Sequence, residues 1–159
     1  MGLAEFTLAL ERRSYTWLRA IADRRSRQPA HLLLGERGED AAFFHLRSLG
    51  YTIVARRWRS PRARGDLDLV AWDGATLVVF EVKSRRARGL APAEMAVDAA
   101  KQEMLRKMAA AYLRQIPKLH RPAVLVRFDV LSVYFDGAEP VFEHHRDAFE
   151  RESPYRRWR

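Results

Sequence analysis

Four charged residues alternate with apolar ones over a short stretch of the chain: Asp66 and Asp68 in Gly65-Asp66-Leu67-Asp68-Leu69-Val70, then Glu81 and Lys83 in Glu81-Val82-Lys83. Between them Asp73-Gly74 separates two hydrophobic runs, Leu67 to Trp72 and Thr76 to Lys83, a strong short-range signal for a β-hairpin. Strand side chains alternate faces, so a turn centred on Asp73-Gly74 sets Asp66 opposite Glu81 and Asp68 opposite Val79. Leu67, Leu69 and Ala71 then share one face with Val78, Phe80 and Val82, while Asp66, Asp68, Glu81 and Lys83 occupy the other. Asp68 and Glu81 become diagonal neighbours about 7–8 Å apart, near enough to converge on one cation. Such oxygens hold a hard cation, Mg²⁺ or Mn²⁺, which polarises a phosphate and activates water, while a lysine orients that water or offsets developing charge. The chemistry that fits is phosphodiester hydrolysis. Solvated or mutually paired charges at a sheet edge would have the same spacing, and a one-residue slip would scatter the set.

The surrounding charge points to a polyanionic partner. Arg56, Arg57, Arg59, Arg62 and Arg64 crowd around Trp58 with no acid among them, and Lys83-Ser84-Arg85-Arg86-Ala87-Arg88-Gly89 leaves the other end of the motif. Runs of this kind suit phosphate contacts, salt-dependent and indifferent to base sequence, although a solvated loop has the same composition. Trp58 suits two roles, stacking on an exposed base or half-burial in a strand. Across 159 residues, 29 Lys and Arg against 20 Asp and Glu leave a formal net charge of +9. Of the basic residues 25 are Arg and 4 are Lys, a bias that favours bidentate phosphate contacts and that a GC-rich genome would also produce.

Other chemistries lose their reagents. With no cysteine, the chain has no disulfide, thiolate nucleophile or Cys-based metal site. His31, His45, His120, His144 and His145 are scattered except for the last pair, whose side chains would face opposite ways in a strand; most are expected at the surface. Neither a nucleophilic serine elbow nor a phosphate-cradling glycine loop is present. No apolar run approaches the roughly 18 residues of a membrane span, and Glu5 interrupts any export-signal pattern, so the expected location is the cytoplasm.

The elements that must position the motif follow from periodicity. Leu3, Phe6, Leu10, Trp17, Leu18 and Ile21 recur at helical spacing among arginines, predicting an amphipathic helix that stops at Ser26 to Pro29. This helix either packs on its own domain or serves as an arm for DNA or a protein partner. A second helix is expected from Glu36 to Leu49, capped by Gly50, and a strand from Tyr51 to Trp58 precedes the hairpin. A long helix over Ala93 to Ile116 buries Val97, Ala100, Met104, Met108 and Tyr112. Strands at Ala123 to Phe135 and Val141 to Glu143 complete an α/β fold, a central mixed sheet flanked by helices. Asp129 on the penultimate strand is either a further site carboxylate or a satisfied buried one.

The Asp68…Glu81-Val82-Lys83 pattern resembles the D…ExK core of the PD-(D/E)xK, or restriction-endonuclease-like, nucleases. Gly35-Glu36-Arg37-Gly38-Glu39-Asp40-Ala41, Leu49-Gly50-Tyr51, Arg127-Phe128-Asp129-Val130 and Asp147-Ala148-Phe149 resemble the bacterial YraN-like family, itself similar to archaeal Holliday-junction resolvases. The resemblance implies a restriction-endonuclease-like domain over residues 31–149, between a basic arm (1–30) and a basic tail (150–159). It implies Asp68 and Glu81 as ligands of Mg²⁺ or Mn²⁺, Lys83 as the catalytic lysine, and Glu39 as a helix glutamate approaching the metal. Asp66, Lys101 and Gln102 would support them, although Asp66 stands where the family more often has Glu and Arg57 where Asn is common. The implied partner is branched or structured DNA, for which the charge runs offer Arg56, Arg57, Arg59, Arg62, Arg64, Arg85, Arg86 and Arg88; either a homodimer, as in resolvases, joins two clefts, or the N-terminal arm and arginine loops of a monomer extend one. The alternative is a noncatalytic nucleic-acid-binding adaptor that keeps the fold and works with a DNA-processing protein.

Overall fold

The computed structural model describes residues 2–87 and 97–150. Two helices come first, α1 (Leu3–Arg25) and α2 (Ala30–Ser48), then three strands, β1 (Thr52–Ser60), β2 (Ala63–Asp73) and β3 (Thr76–Arg85). After α3 (Ala99–Leu113) come β4 (Leu125–Tyr134) and β5 (Val141–His145). The five strands lie in sequence order, and only the β3–β4 pair is parallel, with α3 in its crossover. The expected mixed sheet is present. Among the described residues no helix is long and apolar enough to cross a membrane.

Both faces of the sheet are covered. On one, Leu105, Met108, Ala109 and Leu113 of α3 pack over Leu67, Val70, Leu77, Val79, Phe128 and Val130. On the other, Ala42 and Leu46 of α2 pack over Leu69, Ala71, Val78, Phe80, Leu131 and Val133. The face assigned to Asp68 and Glu81 is therefore not a polar face throughout: it is apolar under α3 and charged only at one end. Leu67 belongs to the α3 side and not, as alternation from Leu69 required, to the α2 side. The β1–β2 register shifts between Trp58 and Ser60, where Gly65 takes φ 110°, and strict alternation fails across such an irregularity.

Two helix boundaries differ from the sequence expectation. α2 begins at Ala30, because the Leu32 and Leu33 amides donate to the Pro29 carbonyl and the helix continues through Gly35 and Gly38. Gly38 has a packing reason to be glycine, since a Cβ there would lie 1.7 Å from Ser84 Oγ. Its absence lets α2 lie directly on β3 beside Lys83. α3 begins at Ala99, where the Asp98 carboxylate accepts the Lys101 amide at 2.7 Å as a side-chain N-cap. The earlier start proposed at Ala93 falls outside the described residues, Val97 is buried but precedes the helix, and Ala100 is exposed while Leu105 takes a core place.

α1 lies along α2 by its polar side. Arg19 pairs with Asp23 and Glu36, Arg37 with Asp23 and Arg47 with Glu11, and the Tyr15 hydroxyl donates to Asp40. Phe6, Leu10, Trp17 and Leu18 are exposed, so these four of the apolar residues that marked the helix are not what holds it to the domain.

Candidate active site

The paired register of β2 and β3 runs from Asp73↔Thr76 to Leu69↔Phe80. It differs by two residues from a turn centred on Asp73-Gly74, because Gly74 takes the first turn position with φ 59° and Ala75 the second. A two-residue slip preserves parity, so Asp68, Glu81 and Lys83 keep their common face. It also moves Asp68 from opposite Val79 to the level of Glu81. At that level the Val82 amide donates to Asp68 Oδ2 at 2.8 Å, which fixes the carboxylate beside β3.

Glu81 is 3% exposed, and an ammonium approaches each of its oxygens: Lys83 Nζ lies 2.9 Å from Oε1 and Lys101 Nζ 2.9 Å from Oε2. Lys83 arrives from the same strand, Lys101 from the first turn of α3 that Asp98 caps. Burial and the neighbouring Glu81 charge push Asp68 up to about 7, against the pull of the Val82 amide and of Lys101. Burial lowers the Lys101 pKa, but the Glu81 and Asp68 carboxylates outweigh it and hold the group as an ammonium above its ordinary value. Two carboxylates and two ammonium groups thus meet at one end of the β2–β3 ladder.

The other proposed site residues separate into those near this cluster and those engaged elsewhere. Asp66 lies 3.5 Å from Arg59 and adds to the negative field at Lys101. Glu39 contributes weakly to the field at Asp68, but its carboxylate accepts from Arg57, which sits at φ 46°, in a region that L-residues adopt with strain. Gln102 does not join the cluster: its amide donates to the Val97 carbonyl at 3.0 Å and its oxygen accepts from Arg106, tying α3 to the segment before it. Asp129 lies in the ladder beside Phe80 and its carboxylate meets Arg127, His144 and the Asp147 amide, so it is the satisfied buried group and not a member of the site.

The first arginine run forms the β1–β2 hairpin. Arg56 is bound to Asp40 and stacks over Phe43, and Arg57 is bound to Glu39, so both are neutralised within the fold. Arg59, Arg62 and Arg64 are exposed, as is Arg86, while Arg85 is half-buried on β3; Arg88 lies outside the described residues. Trp58 is half-buried, its ring edge-on to Tyr112 at 5.2 Å, in the packing role. Most of the five histidines are expected at the surface, but three are half-buried: His45 stacks on Phe142, His144 meets Asp129, and His145 follows it on β5. Sequence reasoning missed Asp98, although an acid one residue before a helix is a readable N-cap signal.

The match to the family model described as "Uncharacterised protein family UPF0102" extends over residues 38–133, from Gly38 on α2 through Asp68, Glu81, Lys83 and Lys101 to the end of β4. The chain belongs to the UPF0102 family. A UPF0102 protein of Koribacter versatilis is 44% identical over 122 residues, covering 77% of this chain and 82% of its own length. UPF0102 proteins of Solibacter usitatus and Rhodococcus opacus are 43% and 41% identical, covering 79% and 75% of this chain and 91% and 98% of their own. UPF0102 membership agrees with the YraN-like resemblance and includes every residue of the charged cluster, whereas all of α1 precedes the matched segment.

Among the described residues no three His, Asp or Glu side chains gather as a metal site. Asp68 and Glu81 nevertheless fit a hard cation: both offer oxygen, they lie at one level of the ladder, and burial beside Glu81 raises the cost of leaving Asp68 charged alone. They are two ligands of an octahedral set whose remaining oxygens would come from water, backbone or phosphate.

Proposed function

We propose that this UPF0102 chain is a metal-dependent endonuclease that hydrolyses DNA phosphodiester bonds, with branched or structured DNA as its substrate. The observation that carries the reading is the convergence of Asp68, Glu81, Lys83 and Lys101 at one end of the β2–β3 ladder. Asp68 and Glu81 would hold Mg²⁺ or Mn²⁺, which when bound supplies a Lewis acid for the phosphate and a lowered pKa for water. Lys83, tied to Glu81, keeps positive charge where a phosphate must approach two carboxylates. The Val82 amide holds Asp68 in register, and Glu81 is buried on β3 with Lys101 of α3 against it. The resolvase-like substrate rests on family analogy alone.

A panel of single-stranded, duplex, flap and four-way DNA, incubated with Mg²⁺ or Mn²⁺, tests the reading. The native chain is expected to cut at least one substrate, and Asp68→Ala, Glu81→Ala and Lys83→Ala to lose at least about 10²–10³-fold in rate. One observation favours a second reading, a noncatalytic DNA-binding adaptor: both Glu81 oxygens already meet ammonium groups. A purified native chain that cuts nothing with either metal would establish that reading over the first.

The exposed arginines near the cluster supply the DNA-binding part of the proposal. Replacing Arg59, Arg62 and Arg64 by Ala is expected to weaken binding to every DNA sequence alike. The slope of log affinity against log salt should flatten by about 1 for each phosphate no longer neutralised. Arg56→Ala and Arg57→Ala should change that slope less, because their guanidinium groups are bound to Asp40 and Glu39. Salt titrations of binding read both; a weakening confined to one DNA sequence would refute backbone recognition.

A further inference from the structure

Each Glu81 oxygen that would face a divalent cation already has an ammonium beside it, Lys83 at Oε1 and Lys101 at Oε2. The two ammonium groups differ in what else they meet. Lys83 follows Glu81 by two residues on the same strand and face, so the pleat keeps it near Oε1 whatever binds. Lys101 arrives from another element, is about a quarter exposed, and feels Asp68 and Asp66 as well as Glu81. Asp68 in turn is influenced by Lys101. The Lys101 ammonium therefore stands in the shared field of the two carboxylates that a divalent cation would bridge. The Asp98 N-cap holds its backbone there, while the long side chain can swing away toward solvent.

We infer that Lys101 is a built-in counter-cation that occupies the Asp68–Glu81 cation position and competes with divalent metal for it. This inference rests on the metal-binding reading of the site and adds its regulation. With Lys101 in place Glu81 has a counter-charge without metal, and metal entry requires the ammonium to leave Glu81 Oε2. A departing ammonium close to the bound cation is repelled by it, so its stable new position is on an anion, and a phosphate oxygen is the anion this chemistry brings. The resident lysine would thereby keep the metal-free site closed and couple metal uptake to the arrival of a phosphate.

Mn²⁺ alone is the probe, its binding to the full chain followed by the electron paramagnetic resonance signal of free Mn²⁺ without nucleic acid. Lys101→Met, which keeps the apolar stem and removes the charge, is expected to bind Mn²⁺ at least tenfold more tightly than the native chain. Lys101→Arg, which keeps the charge, should remain within a few-fold of native. The gain should vanish in the double variant Lys101→Met, Asp68→Asn. Circular dichroism establishes that each variant is folded, and Lys101→Gln serves in place of Lys101→Met if the latter is not. Unchanged or weaker Mn²⁺ binding in the folded charge-removing variant overturns the counter-cation role. If Asp68→Asn alone still weakens binding in that event, the metal site stands and only the role of Lys101 falls; if no variant binds Mn²⁺, both fall.

Discussion

Asp68→Asn is expected to make the metal-free chain more stable at pH 8 while removing the proposed nuclease activity. The native carboxyl is raised from 3.8 to about 7 by burial and by Glu81, so between those values the folded state keeps a proton that the unfolded chain has released. Stability must then fall as pH rises through that window, and the deficit is complete above it. An elevation of this size corresponds to on the order of 4 kcal/mol at pH 8. Asparagine has nearly the same shape, still presents an oxygen to the Val82 amide, and carries no charge to bury beside Glu81. A gain on the order of 2–4 kcal/mol at pH 8 and little difference near pH 4 is the expected result, or roughly 5–15 °C in thermal midpoint at the higher pH. Thermal denaturation at both pH values, in chelator, measures it. A variant no more stable than native at pH 8 would contradict the placement of Asp68 as a charge buried at a cost. The same measurement with Mn²⁺ should narrow the gap, since only the native pair of carboxylates would gain from the cation.

The charged cluster was legible to the extent that strand periodicity is independent of small register errors. Alternation put Asp68, Glu81 and Lys83 on one face, and the two-residue slip caused by Gly74 entering the turn early left that face unchanged. The exact pairing was less legible, because Asp-Gly marks a turn without stating which two residues form its tip. Alternation also failed at Leu67, where the irregular β1–β2 register and the positive φ of Gly65 intervene. Lys101 lies on a helix whose start is set by Asp98, so its approach to Glu81 depends on how α3 crosses the sheet, which no spacing in the sequence encodes.

Charge runs were the least reliable guide. Arg56 and Arg57 stand among arginines with no acid nearby in sequence, yet the fold brings Asp40 and Glu39 of α2 against them. A helix and a strand far enough apart in sequence to hide the match are adjacent in space, so the free basic surface is smaller than composition suggested. α1 shows the converse: its apolar spacing correctly indicated a helix, while ion pairs from its polar side to α2 and the Tyr15–Phe44 ring contact decide which way that helix faces.

Asp129→Asn should destabilise the fold without weakening the proposed metal site. The carboxylate is fully buried; Arg127 donates to Oδ1 at 2.8 Å and to Oδ2 at 3.0 Å, His144 Nε2 lies 2.8 Å from Oδ2, and the Asp147 amide donates to Oδ1 at 2.9 Å. Burial alone would raise its pKa, but His144, Arg127 and the Asp147 amide together outweigh that and hold it below its ordinary value. The stability this provides is present above the usual carboxylate range and is lost as pH falls below about 4 through the folded value. Asparagine turns an amide toward a guanidinium that needs an acceptor, and breaking such a buried pair costs about 3–5 kcal/mol. The lower part of that range is expected here because Arg127 keeps a second acceptor, Asp73, at 3.0 Å. Denaturant titration at pH 7 should register the loss, and the difference from native should shrink below about pH 4 as the native carboxylate takes up its proton. Mn²⁺ binding by the folded variant should match native, because Asp129 packs with His144 and Phe80 on the α2 side while Asp68 and Glu81 meet Lys101 of α3. A folded Asp129→Asn chain that loses Mn²⁺ binding would instead make Asp129 part of the site.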